Sequence, residues 1–173
     1  SSLYFVLALD FGWSKTDQRS SIDDLADYVA KHYLDDEEAI VLAQSCIYDC
    51  LAAREESPME RIVKISAGQS KTLSLNEGST YAVMEMAKQI IDEYMNVPGS
   101  SYSYDRIIRL VAHSLHADRA MQQGLTLELV LIPDGPLPTR LYPVAAQWWC
   151  RNKKLWRIRE VIGFPLMKLA GQI

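Results

Sequence analysis

Two histidines, an aspartate and an arginine fall close together in "LVAHSLHADRAMQQG" (110–124), where an apolar run gives way to a helix-like segment. Imidazole is the side chain whose charge changes near neutrality, so His116 is a candidate to hydrogen-bond a ligand or carry a proton. Arg119, one turn further on, has the planar fork that grips a carboxylate or phosphate through two N–H groups. His113 lies on the strand side of the junction. It could converge with His116 across the bend, with Asp118 or Asp10 as further donors to a metal. No HExxH, CxxC or comparable spacing accompanies them, so no metal ligand is assigned.

Other polar groups fall where apolar runs end. "LDFGW" carries Asp10 and Gly12, a carboxylate and an open backbone beside a turn. "SAGQS" carries Ser66, Gly68 and Gln69, small residues whose backbone N–H groups could approach an anion. Neither is a P-loop or a GxGxxG turn, and no GxSxG elbow supports a triad from Ser66, His113 and Asp10.

The elements that must position these groups follow from periodicity. "LYFVLALDF" is a continuous apolar run, the pattern of a strand buried on both faces. "SIDD" predicts a helix start, with Ser21 as cap, and Ile22, Leu25, Ala26, Val29 and Tyr33 recur at helical spacing. A second helix is expected over 36–54, and "RIVKISAGQS" (61–70) predicts a short strand that stops at Ala67-Gly68. A long helix over 79–96 closes at Pro98-Gly99. "RIIRLVAHS" predicts the third strand, then a short helix from His116 with Gly124 as its stop, and "LTLELVLIP" the fourth. A terminal helix carries Trp148, Trp149, Leu155, Trp156, Val161 and Ile162. Alternating strands and helices predict one α/β domain over 1–173: a Rossmann-like three-layer sandwich with a mostly parallel sheet of four or five strands. Ligands in such folds bind beyond the carboxyl ends of the strands, where most of the polar groups above fall.

The 173 residues suffice for one core, and the net charge of −4 argues against nucleic acid as a partner. "RNKKLWRIR" is a local basic cluster, read as the solvated face of a terminal helix. The three cysteines have no disulfide or zinc pattern and fit a reducing compartment. No apolar stretch is long enough to span a bilayer. The expected localisation is cytoplasmic, or membrane-associated if an upstream anchor has been removed from this chain, which starts at "SS".

"VAHSLHADRAMQQGL" resembles the YdcF/SanA/ElyC-like bacterial domains, whose corresponding segment reads (V/I)-T-S-x-x-H-x-x-R-A. Ala112-His113-Ser114 stands at the T-S place, His116 at the histidine and Arg119-Ala120 at R-A. "KISAGQS" is similar to the family's S-G-G strand end at Ser66 and Gly68, and "NVP" to its G-V-P helix end. Glu77 corresponds to an acidic residue before the middle helix, and Glu160 to one on the final helix. The family's S-x-N-T-x-E-N element has "GSSYSYD" in its place. The resemblance implies a compact Rossmann-like domain with a polar pocket at the strand edge. Some members bind S-adenosylmethionine and others are connected with the cell envelope. The leading expectation is therefore a small-molecule-binding domain for a nucleotide or S-adenosylmethionine-type ligand, held by Asp10, Gly12, Ser66, Gly68, Gln69, Glu77, His113, His116 and Arg119. Its rivals are a transferase or hydrolase acting on a phosphorylated or sugar-linked envelope precursor, with His116 catalytic, and a non-catalytic interaction module.

Overall fold

The computed structural model describes residues 2–11, 21–66, 80–140, 153–169 and 171, and the structural statements below concern these. Six strands form one parallel sheet: β1 (Ser2–Ala8), β2 (Ala39–Gln44), β3 (Ile62–Ile65), β4 (Ser103–Tyr104), β5 (Ile107–Val111) and β6 (Val130–Pro133). Five α-helices accompany them among the described residues: α1 (Ser21–Tyr33), α2 (Ser45–Ala52), α3 (Thr80–Met95), α4 (Ser114–Thr126) and α5 (Lys153–Leu169).

The strand order is β3-β2-β1-β5-β6, with the two-residue β4 joined to the start of β1. The first strand is thus the central one. Its side chains alternate between two cores. Phe5, Leu7 and Leu9 meet Val83, Met84 and Ala87 of α3 and Ala117 and Ala120 of α4 on one face. Val6 and Ala8 meet Leu25, Ala26 and Val29 of α1 and Ile47 and Leu51 of α2 on the other. Burial of each large apolar side chain contributes roughly 1.5–3 kcal/mol. Because both faces are covered, this strand carries apolar residues without a break. The chain winds outward from β1 to β3 with its helices on one face. It then crosses over through α3 and winds the other way through β5 and β6. Right-handed crossovers put the second set of helices on the opposite face. The architecture is the α/β Rossmann-like sandwich that the element pattern predicts.

Two element assignments are corrected. Residues 36–54 are not one helix: Ala39–Gln44 is β2, and α2 follows it without a gap. Ala39 to Ala43 are all buried, so the run is a two-faced strand whose apolar residues also match a helical period when joined to Ile47 and Leu51. Gly124 does not end α4, which continues to Thr126. The helix closes on Glu128 with a φ of 60°, where Leu129 N–H donates to the Gly124 carbonyl and Glu128 N–H to the Leu125 carbonyl. This is the paired bonding of a Schellman end, with glutamate in the left-handed position. Gly124 is small for another reason. A Cβ there would sit 2.8 Å from Leu131 Cδ1 of β6. The predicted strand start at Leu125 accordingly moves to Val130.

No helix among the described residues is long and apolar enough to cross a membrane.

Candidate functional site

The strand order reverses between β1 and β5, whose carboxyl ends run side by side with Ala8 opposite Val111. Chains leaving the two strands part there to opposite faces, which opens the crevice where doubly wound folds take ligands. Phe11, just beyond β1, is buried against the His113 ring, with centroids 4.1 Å apart and planes 13° from parallel. The same phenyl ring lies 6.2 Å from that of His116.

His113 is the N-cap of α4, and its Nδ1 accepts the Leu115 N–H at 3.2 Å. Its Nε2 is 3.2 Å from the Arg140 carbonyl oxygen. A carbonyl only accepts, so Nε2 carries the proton and the ring is neutral. Both nitrogens are thereby committed to the backbone. The Ser114 N–H donates to the Pro138 carbonyl, and the N–H groups of His116 and Ala117 to that of His113. The first donors of α4, which in related architectures cradle an anion, thus serve the chain itself.

One face of α4 carries His116, Arg119 and Gln123, all buried. His116 Nε2 is 2.8 Å from Thr80 Oγ1 at the start of α3. Arg119 Nε is 3.4 Å from Glu160 Oε1 on α5. One turn further, Gln123 donates to the Met167 sulfur of α5 at 3.6 Å. The polar face of α4 is the seam along which α3 and α5 are tied to it. Arg119, expected to clamp a ligand's anionic group, has Glu160 as its ionic partner.

Asp10 performs a similar service for α2. Its two carboxylate oxygens accept the Ile47 and Cys46 N–H groups at 3.1 and 3.2 Å, and its own N–H donates to Gln44 Oε1 at 2.9 Å. This ties the end of β1 to the β2–α2 junction and fills the positive end of a helix. Burial pushes the Asp10 carboxyl above its ordinary range, against the lowering effect of the two amides. Burial, then the Asp10 charge, raises the Cys46 thiol to about 12, which keeps it protonated and unreactive.

Ser66 follows β3 directly and is exposed. Gly12, Gly68, Gln69 and Glu77 lie outside the described residues. The structure therefore brings Asp10, His113 and His116 to one sheet edge, with Arg119 one turn deeper along α4. Three participants escaped the reading of the sequence. Gln44 was hidden inside the misassigned helix, and Phe11 resembled ordinary core. Thr80 had a usable signal, a hydroxyl residue opening a long apolar stripe.

Among the described residues, no group of three or more His, Cys, Asp or Glu side chains is arranged to hold a metal. A cleft of about 550 Å³ lies at the opposite, amino edge of the sheet, lined by Tyr104, Asp105, Arg106 and Glu128 with Lys88 and Asp92 of α3. Its charges are mixed, and Lys88 is paired with Asp92 at 3.0 Å.

No family model matches the chain, and no curated protein or solved structure matches it.

Proposed function

We propose that the chain is a small-molecule-binding α/β domain, taking a nucleotide or S-adenosylmethionine-type ligand at the carboxyl edge between β1 and β5. The observation that carries this reading is the reversal of strand order at that edge, where Phe11 packs beside the two histidines. The sequence likeness to the YdcF/SanA/ElyC-like domains points to the same edge. In this reading His116, held by Thr80, supplies a ligand contact from the wall of the crevice. Arg119 acts through Glu160 to hold the wall in place rather than as the anion clamp.

The test is a thermal-unfolding screen with adenine nucleotides, S-adenosylmethionine and sugar phosphates, run on wild type, His116→Gln and Thr80→Val. A ligand at a hundredfold excess over its Kd adds about 2.7 kcal/mol to the folded state, a shift of several degrees. The expected result is a shift with one class that shrinks in both variants. No shift with any class sinks the reading.

The His116–Thr80 hydrogen bond also favours a second reading, in which an oriented imidazole serves as general acid or base in a transfer or hydrolysis reaction. That reading requires a pH-dependent activity on a phosphorylated or sugar-linked substrate, abolished in His116→Gln while binding persists.

A further inference from the structure

Helix α5 is divided between two surroundings. Glu160 and Met167 face the body of the domain, where they meet Arg119 and Gln123 of α4. Ile158, Val161, Ile162, Leu166 and Leu169 are 52, 75, 62, 62 and 86 % exposed, and Pro165 among them is exposed too. These positions recur at intervals of three and four, so they form one continuous stripe on the helix side away from α4. An apolar stripe running from Ile158 to Leu169, roughly 18 Å of the 17-residue helix, is not an ordinary solvent face.

Charge decides what fits it. Residues 151–173 hold six basic side chains and one acidic, a net +5, and leave −9 on residues 1–150 of a chain whose total is −4. At helical spacing Arg157 and Lys168 border the stripe along one side, and both are exposed. A second copy of the chain would set these cations against their own kind. An anionic surface would neutralise them while the apolar stripe left water, and the acidic bulk of the domain would be turned away from it. The combination of apolar face, cationic border and a length too short to span describes a helix that lies in the plane of a bilayer interface.

We infer that α5 is a peripheral docking helix for an anionic lipid bilayer, entering with Ile158, Val161, Ile162, Leu166 and Leu169 and held electrostatically by Arg157 and Lys168. The docked domain carries its sheet at a fixed attitude to the membrane, because the opposite side of α5 is fastened to α4 by the Arg119–Glu160 and Gln123–Met167 contacts.

The experiment is flotation of the full 173-residue chain with vesicles of about one part phosphatidylglycerol to three parts phosphatidylcholine, and with phosphatidylcholine alone. The chain is expected to float with the anionic vesicles, to bind the neutral ones far less, and to be released as salt is raised. Each surface cation contributes about fivefold to partitioning, so Arg157→Gln/Lys168→Gln should weaken it about twenty-five-fold. Val161→Asp/Leu166→Asp should abolish it. Both variants change exposed residues, and unchanged thermal unfolding without vesicles confirms that the fold is intact. Absence of flotation with anionic vesicles overturns the inference, as does flotation that survives Val161→Asp/Leu166→Asp. A dimer in sedimentation that is dissolved by Val161→Asp/Leu166→Asp also overturns it, since the stripe is then covered by a second copy.

Discussion

His113 and His116 stand three residues apart in the chain and do different work. His113 is wholly buried, with one ring nitrogen on the Leu115 amide and the other at the Arg140 carbonyl. His113→Ala should cost about 2–4 kcal/mol in urea unfolding, through the lost cap, the orphaned amide and the void beside Phe11. His113→Asn restores a capping acceptor and should recover part of that loss. A loss below about 0.5 kcal/mol for the alanine variant would contradict the capping role. Asp10 makes a prediction in pH. Its folded-state pKa is raised, so ionisation disfavours the folded chain relative to the unfolded one. Its contribution is therefore greatest below the ordinary carboxylate range and is lost as pH rises through the raised value. Asp10→Asn should remove that part of the pH dependence, seen in unfolding free energies taken from mildly acidic to neutral pH. A wild type and variant with parallel pH profiles would refute it. At this scale the sequence marked His113, His116 and Asp10 as polar groups beyond strand ends, and the structure places them at one edge of the sheet. The sequence could not say that His113 and Asp10 bind backbone amides, because their partners belong to other segments or to ends of helices that only the fold defines.

At the scale of elements, the seam along α4 joins three helices. Arg119 and Glu160 are both largely buried, so removing one removes an ionic contact that offsets the other's burial. Arg119→Met and Glu160→Met should each cost about 3–5 kcal/mol, whereas Arg119→Met/Glu160→Met should cost far less than their sum. Additive losses in this double-mutant cycle would mean that the pair is not coupled. The far end of α4 offers a second test. Glu128 holds a left-handed φ that suits glycine, so Glu128→Gly should stabilise by up to about 1 kcal/mol. Gly124→Ala should destabilise by about 1–3 kcal/mol as its Cβ presses on Leu131. Thermal unfolding of the two variants reads both signs. The glycine was visible in the sequence as punctuation, but the stop lies four residues later at Glu128, a residue type that does not advertise such a turn. The helices over 21–33 and 80–95 were legible because each has one apolar face and a polar opposite face. The strand β2 was not, because it is buried on both sides and runs straight into α2.

For the whole molecule, the alternation of elements was enough to foresee a parallel sheet and the edge at which its polar residues collect. The order of strands was not legible, since apolar runs carry no mark of which neighbour they will take. That order has a consequence for how the chain is made. The central strand β1 is synthesised before the other strands of its sheet, and one flank is paired by β2, which starts only at Ala39. The other flank is paired by β5, through Val6 with Arg109, Leu7 with Leu110 and Ala8 with Val111. More than a hundred residues must leave the ribosome before that second flank can close. Until then the largely apolar β1 carries an open row of backbone donors and acceptors, the condition that invites association with other chains. A fragment ending before Asp105 should therefore aggregate, whereas the full chain refolds at the same concentration. Light scattering during dilution from urea compares them directly. Long-range closure of this kind also slows folding, so the β1–β5 pairing, rather than any helix, sets the pace at which the carboxyl edge between those strands comes into being.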